Sequence, residues 1–181
     1  MTSTKAKSRA VFVDRDGTIM HDADYCSEPS QVQLFDGAAD ALRRLKKAGF
    51  KIIVITNQSG IGRGFFTEKE YREVEAEVSR QLGNGLIDAT YFCPDVPGEP
   101  SKCRKPAPGM VFQAASEHDV DLSRSFLIGD KEIDAECAHN AGLRAIRVRT
   151  GFDKMTEGSC ADWVAEDLQA AANIILKGGN E

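Results

Sequence analysis

Short apolar runs alternate along the chain with segments whose apolar residues recur at helical spacing. Ala10 to Val13 form a continuous apolar run that ends abruptly in Asp14, so residues 10–14 read as a buried strand. "GAADALRRLKKA" (37–48) places Ala38, Ala41, Leu42 and Leu45 on one helical face, and Gly49 stops that helix. "KIIVIT" (51–56) is β-branched and apolar after Lys51, as in a strand covered on both faces. Thr67 with Glu70 three residues on is a capping box, opening a helix that reaches about Leu82. "IDATYFC" (87–93) is a third strand, and Pro108 opens a helix to about His118. A strand at 125–130, a helix at 131–141, a strand at 144–150 and a last helix from Ala161 to Leu176 complete the series. Alternation of this kind predicts an α/β fold of three layers, a central parallel sheet with helices on both faces. Residues 1–8 read as a disordered tail and 9–178 as a single domain. Segment 94–108, "PDVPGEPSKCRKPAP", holds five of the six prolines and reads as a stiff loop.

Composition narrows the partners. The chain has 181 residues, is 41% hydrophobic and carries a net charge of −5, which supports a real core and argues against nucleic acid or an anionic membrane held by broad electrostatics. No apolar run approaches the roughly 20 residues of a membrane helix, and "MTSTKAKSR" has no apolar stretch behind it to make a secretory signal. The five cysteines are odd in number and scattered, so reduced thiols in the cytoplasm are expected. No dimerisation seam stands out, and a monomer is expected.

In an open parallel sheet, ligands bind beyond the carboxyl ends of the strands. The first strand ends in Asp14, Arg15 and Asp16, and the second in Thr56, Asn57 and Gln58. The loop before helix 108–118 carries Arg104 and Lys105, and strand 125–130 ends in Gly129 and Asp130, followed by Lys131 and Asp134. Each piece alone has a bland explanation: "DRDGT" suits a turn, Thr-Asn suits a cap, and acids after a strand suit a helix N-terminus. Their joint appearance at one sheet edge does not. Two carboxylates about 5 Å apart repel by about 3 kcal/mol at an effective dielectric near 20. Asp14, Asp16 and Asp130 together therefore call for protonation or a cation, and an all-oxygen, partly open site suits Mg²⁺.

The order D14-x-D16-G17-T18, T56-N57, K105-P106, G129-D130-K131-x-x-D134 resembles the haloacid dehalogenase superfamily of phosphatases. "DRDGTI", "TNQSGIGRG", "CRKPAPG" and "IGDKEID" resemble its heptose bisphosphate phosphatase subgroup, with the histidinol-phosphate phosphatases as close relatives. The resemblance implies a Rossmann-like fold and a Mg²⁺-dependent attack on a small phosphorylated metabolite. It implies Asp14 as nucleophile, Asp16 as acid and base, Thr56 and Asn57 on the phosphoryl oxygens, and Lys105 neutralising charge. It implies a metal held by Asp14, the Asp16 main-chain carbonyl and Asp130, with Lys131 and Asp134 supporting it, and Arg104 recognising substrate. Lys131 is also counted among the substrate contacts. Arg63, in the Gly-rich stretch 59–65, is a candidate for a second anion contact, weighed against a solvated loop charge. The spacing between motifs leaves no room for an inserted cap domain, so specificity is expected from loops 18–35, 59–65 and 94–105. Asp22, Asp24 and Glu28 keep an ammonium-bearing substrate, histidinol phosphate, as the alternative. A nucleic-acid repair phosphatase would need a basic groove, and a catalytically dead binding protein would have lost one of the four motif residues. Neither description fits.

The resemblance also has a gap. Members of the subgroup carry structural zinc on Cys-x-His…Cys-x-Cys-Arg-Lys-Pro. Here only Cys93 and Cys103 remain, with Asp95 and Ser101 at the other two places. Tight zinc is therefore not expected. A Cys93–Cys103 disulfide is within reach but unexpected in a reducing compartment.

Overall fold

The computed structural model describes residues 6–152 and 157–178. Six strands, all parallel, form one sheet: β1 (Arg9–Val13), β2 (Phe50–Asn57), β3 (Ala89–Cys93), β4 (Phe126–Gly129), β5 (Arg144–Val148) and β6 (Trp163–Ala165). Their order across the sheet is β3-β2-β1-β4-β5-β6. The chain thus builds outward from β1 in one direction, then returns to lay β4 on its other side. That reversal is a topological switch point, and it opens a crevice beyond the ends of β1 and β4.

The helices are α1 (Ala38–Lys47), α2 (Ser59–Gly62), α3 (Glu68–Leu82), α4 (Gly109–Glu117), α5 (Glu132–Ala141) and α6 (Leu168–Gly178). Side chains alternate along β1. Val11 and Val13 join the core under α1, α3 and α6, while Ala10 and Phe12 join the core under α4 and α5. Both faces are therefore covered, which is why β1, β2 and β4 carry continuous apolar runs (10–13, 52–55 and 126–128) rather than alternating with polar residues. Thr67 caps α3 as expected: its hydroxyl accepts from the Glu70 amide and the Glu70 carboxylate accepts from the Thr67 amide.

Three expectations need correcting. The final helix does not start at Ala161. Trp163–Ala165 instead adds β6 alongside β5, and α6 begins only at Leu168. Trp and Val favour a pleated edge over a helix, and the overlooked start signal is Asp167, whose carboxylate accepts from the Ala170 amide. The second correction concerns the cysteines. Cys93 and Cys103 form a disulfide, whereas Cys26, Cys137 and Cys160 are free thiols. The proline-rich loop turns back on itself, so that Cys103 meets the buried end of β3. Ser8, expected in the tail, is bridged to Val120, with its amide donating to the Asp119 carbonyl; residues 1–5 lie outside the described residues. Among the described residues no helix is long and apolar enough to cross a membrane.

Candidate active site

The opening strand delivers Asp14 to the crevice because its main chain is locked to β4, with the Asp14 amide donating to the Ile128 carbonyl at 2.9 Å. The strand of four apolar residues is buried on both faces, so the first polar side chain after it emerges at the sheet edge, still 6% exposed. Gly17 then turns the chain at φ +85°. A side chain there would also collide with the Asp130 carboxylate at 2.4 Å, so glycine serves both the turn and the close approach.

Lys105 is the hub. Its ammonium lies 2.7 Å from Asp14 Oδ1 and 2.7 Å from Asp134 Oδ1, and donates to the Ile55 carbonyl at 3.1 Å. It reaches this place from a loop because Asn57 clamps its main chain: Asn57 Nδ2 donates to the Lys105 carbonyl and Oδ1 accepts from the Lys105 amide, at 3.2 and 3.0 Å. Burial alone would discharge Lys105, but Asp134 and Asp14 overcome it and push its pKa up, so it stays an ammonium. Asp14 is pushed well above the usual carboxylate range, first by burial and then, against the pull of Lys105, by Asp134, Asp130 and Asp16.

Asp130 is fully buried, and neither carboxylate oxygen has a hydrogen-bond partner. Burial, with Asp134 adding to it, raises its pKa to about 6. An orphaned pair of buried oxygens is costly unless something else meets them. Asp14, Asp130 and Asp134 each place a carboxylate oxygen within 4.8 Å of the others. Gly17 and Gly151 clear the space around Asp130, where a side chain on Gly151 would strike its Oδ2 at 1.9 Å. These donors fit a hard divalent cation with oxygen ligands, Mg²⁺ foremost.

Two connected cavities follow from this layout. An inner one of about 40 Å³ is lined by Asp14, Asp16, Thr56, Asn57, Lys105, Lys131, Ile133 and Asp134. An outer pocket of about 280 Å³ is lined by Asp22, Asp24, Tyr25, Ser59, Gly60 and Arg104 among others, and shares Asp16, Asn57, Lys131 and Ile133 with the inner one. Asp16 therefore stands at the neck. Its carboxylate is gripped from behind: Arg15, only 2% exposed, donates to both oxygens at 2.9 to 3.2 Å, and Gln58 Nε2 donates to Oδ2 at 2.9 Å.

The sequence-predicted residues fall into groups. Asp14, Asp16, Thr56, Lys105 and Asp130 converge, as do Asn57 and Lys131. Lys131 is half exposed, with its amine 3.6 Å from Asp22. Arg104 lines the outer pocket, tied by its amide to Ser101 Oγ and by Nη1 to the Asp95 carbonyl. Arg63 caps α2, is exposed, and is not among the residues lining that pocket. It is close enough for its charge, after burial, to disfavour that of Arg104. Arg15 and Gln58 were given no role from the sequence. The signal available was their position: one lies between the two motif aspartates, the other directly after Thr56-Asn57.

A buried carboxylate paired with a buried lysine at a sheet switch point, beside an acidic pocket for a hard cation, can bind a phosphoryl group and take it onto oxygen. The class that fold and site define is a phosphohydrolase. A sequence profile of the HAD-hydrolase-like family matches residues 102–171. The chain is 41% identical over 171 residues to the D-glycero-β-D-manno-heptose-1,7-bisphosphate 7-phosphatase of Yersinia pestis, covering 88% of this chain and 90% of that protein. It is 38% identical over 180 residues to the enzyme of the same name from Escherichia coli K12, covering 93% and 94%. The crystal structure of D,D-heptose 1,7-bisphosphate phosphatase from B. bronchiseptica, complexed with magnesium and phosphate, superposes with a TM-score of 0.86 at 32% identity, covering 93% of this chain and 98% of that one. The chain belongs to the haloacid dehalogenase superfamily of phosphatases, in the family that holds these relatives.

Proposed function

We propose that the protein is a Mg²⁺-dependent phosphomonoester hydrolase that removes the 7-phosphate of D-glycero-D-manno-heptose 1,7-bisphosphate through an aspartyl-phosphate intermediate. The observation that carries this reading is the neck: Asp16 sits between a small inner cavity floored by Asp14 and a larger outer pocket edged by Arg104. A phosphoryl group in the inner cavity and a sugar in the outer one put the scissile bond beside Asp16. Asp14 Oδ attacks phosphorus, and the ester oxygen leaves with a proton from Asp16. Asp16 then takes a proton from the water that hydrolyses the acyl phosphate. Thr56 and Lys105 meet the phosphoryl oxygens, and Asn57 fixes Lys105 by its main chain. Asp14 and Asp130 would hold the metal with the Asp16 carbonyl, and Asp134 and Lys131 would support them. The bound cation would neutralise the carboxylates and the phosphoryl charge.

Arg104, with Arg63 beside it, forms the anion contact for the sugar's second phosphate. Burial and then the Arg63 charge disfavour the charge of Arg104, and an anion beside it would relieve that. Asp22 and Asp24 in the same pocket are the observation that favours histidinol phosphate instead, although Lys131 already faces Asp22. In this reading the partner is a small phosphorylated metabolite, not nucleic acid or membrane, and the enzyme works as a cytoplasmic monomer. Phosphate release with Mg²⁺ is the test, comparing heptose 1,7-bisphosphate, histidinol phosphate and hexose monophosphates. The highest kcat/KM is expected for the bisphosphate. Preference for histidinol phosphate would overturn the substrate and leave the chemistry standing.

A further inference from the structure

Gln58 is 5% exposed and stands directly after β2, its amide donating to the Cys93 carbonyl at 2.7 Å. Its side-chain Nε2 makes two contacts, donating to Asp16 Oδ2 at 2.9 Å and to Thr56 Oγ1 at 2.8 Å. The chemistry of the three groups fixes their polarity. Asp16 Oδ2 already accepts from the Arg15 guanidinium, so it meets Gln58 as an acceptor, and the Gln58 amide turns its nitrogen, not its oxygen, toward it. The same nitrogen then faces Thr56, whose hydroxyl oxygen has to accept from it. The hydroxyl's own proton is left free to point into the inner cavity that Thr56 lines. One buried amide thus sets the place of a carboxylate and the direction of a hydroxyl.

Arg15 completes the arrangement. It grips both oxygens of Asp16 from the adjacent position in the chain, buried over the Tyr71 ring, and Gln58 supplies a second anchor from a different element. Gln58 ties Asp16 to the end of β2, a strand buried from Ile52 to Thr56. We propose that Gln58 is a positioning residue that holds the Asp16 carboxyl at the neck, in register with the leaving-group oxygen, while turning the Thr56 hydroxyl toward the phosphoryl group. The proposal rests on the reading of Asp16 as the acid that protonates that oxygen.

The positioning role predicts a dependence on the leaving group. A sugar alkoxide is strongly basic and cannot leave without the proton, whereas p-nitrophenolate can. Loss of the Thr56 orientation slows both substrates alike, so the ratio of the two rates isolates the effect on Asp16. The experiment measures the burst of leaving-group release in a single turnover, for the heptose bisphosphate and for p-nitrophenyl phosphate, with Mg²⁺ present. Gln58→Leu and Gln58→Met are compared with the wild type and with Asp16→Asn; the Met variant keeps the length of the side chain without the amide, should the Leu variant fail to fold. In both Gln58 variants the sugar-to-nitrophenyl ratio is expected to fall by about 10- to 100-fold, as displacement of a reacting group by about 1 Å costs. Asp16→Asn should show the same split, more strongly. An equal loss on both substrates, or none, in a folded Gln58 variant while Asp16→Asn shows the split would overturn the positioning role alone. No split in Asp16→Asn would instead overturn the reading of Asp16 as the acid.

Discussion

The inner cavity and the outer pocket share a neck, yet they are built in opposite ways. The inner residues Asp14, Thr56, Lys105, Asp130 and Asp134 are all buried, with side chains at the ends of paired strands or tied to them. Their charges are out of balance without a cation: Asp130 has no partner and Asp14 is held above its usual range. The outer residues Asp22, Asp24, Tyr25 and Arg104 lie on loops and are partly exposed, and their polar groups meet one another or nearby main chain. The rim is closed by contacts of this local kind, such as the Tyr25 ring set edge-on to Phe65 at 4.8 Å. Electrostatic stress is stored where the frame is rigid enough to hold it, and selection of substrate is left to surfaces that can change without disturbing that frame.

The strongest way to break this contrast is at its centre. Asp14→Asn should lower turnover by at least about 10⁴-fold, with no covalent phosphoenzyme trapped, because no other inner group can take its place. Near-normal turnover, once deamidation is ruled out, would remove the nucleophile from Asp14.

The stored stress should next appear as metal-dependent stability. A cation that binds the native state at 100 times its Kd adds about 2.7 kcal/mol, read as a rise in Tm, and Asp130→Asn should abolish most of it. The pH dependence has a definite sign. The folded pKa of Asp130 is about 6, above its unfolded value, so the metal-free fold binds more protons than the unfolded chain across that interval. Asp130 therefore makes the metal-free protein less stable as pH rises from about 4 to about 6. Mg²⁺ must displace those protons, so its stabilisation should be small near pH 4.5 and complete above about 7. A gain independent of pH would mean that the cation binds elsewhere.

The same division explains what could be read from the sequence. The inner site was legible because strand ends announce themselves: an apolar run that stops at a polar residue can only present it at the sheet edge, and three such ends, with the loop that carries Lys105, meet beyond a parallel sheet. β6 was not legible, because three residues at an edge give too short a pattern, and Asp167 was passed over as its boundary. The role of Asn57 was assigned to phosphate, whereas its amide is turned to the Lys105 main chain; a contact 48 residues away leaves no trace in local periodicity. The disulfide was set aside on grounds of compartment, and compartment is not a property of loop geometry.

That disulfide gives the third test, now at the rim. Cys93 and Cys103 are ten residues apart, and closing a loop of that size stabilises by about 3 kcal/mol on the chain-entropy account. Thiol titration of denatured, unreduced protein should find three free cysteines, Cys26, Cys137 and Cys160. Reduction should lower Tm while leaving the rate on p-nitrophenyl phosphate within about twofold, because Lys105 is clamped independently by Asn57. Five free thiols in protein kept from reductants would refute the bond, and an equal collapse of activity would show that the rim and the inner site are one unit.

The smallest effect separates two arginines within the rim. Arg104 is half-buried, its main chain held by Ser101 and its guanidinium by the Asp95 carbonyl, so part of its side-chain entropy is already lost before an anion arrives. Arg63 is exposed on a Gly-rich turn, and engaging a phosphate would restrict a side chain carrying about 2 kcal/mol of rotamer entropy. Arg104→Ala should therefore raise KM for the bisphosphate by about 10- to 100-fold, the range of a charge-assisted hydrogen bond, with little effect on a monophosphate. Arg63→Ala should raise it by less than about fivefold, as exposed ion pairs do. If both touch one phosphate, the Arg63 effect should change when Arg104 is already alanine, since groups that share a partner are not additive. Strict additivity would return Arg63 to a solvated loop charge, and an Arg63 effect larger than that of Arg104 would mean that the ordered half of the rim is not where the second anion binds.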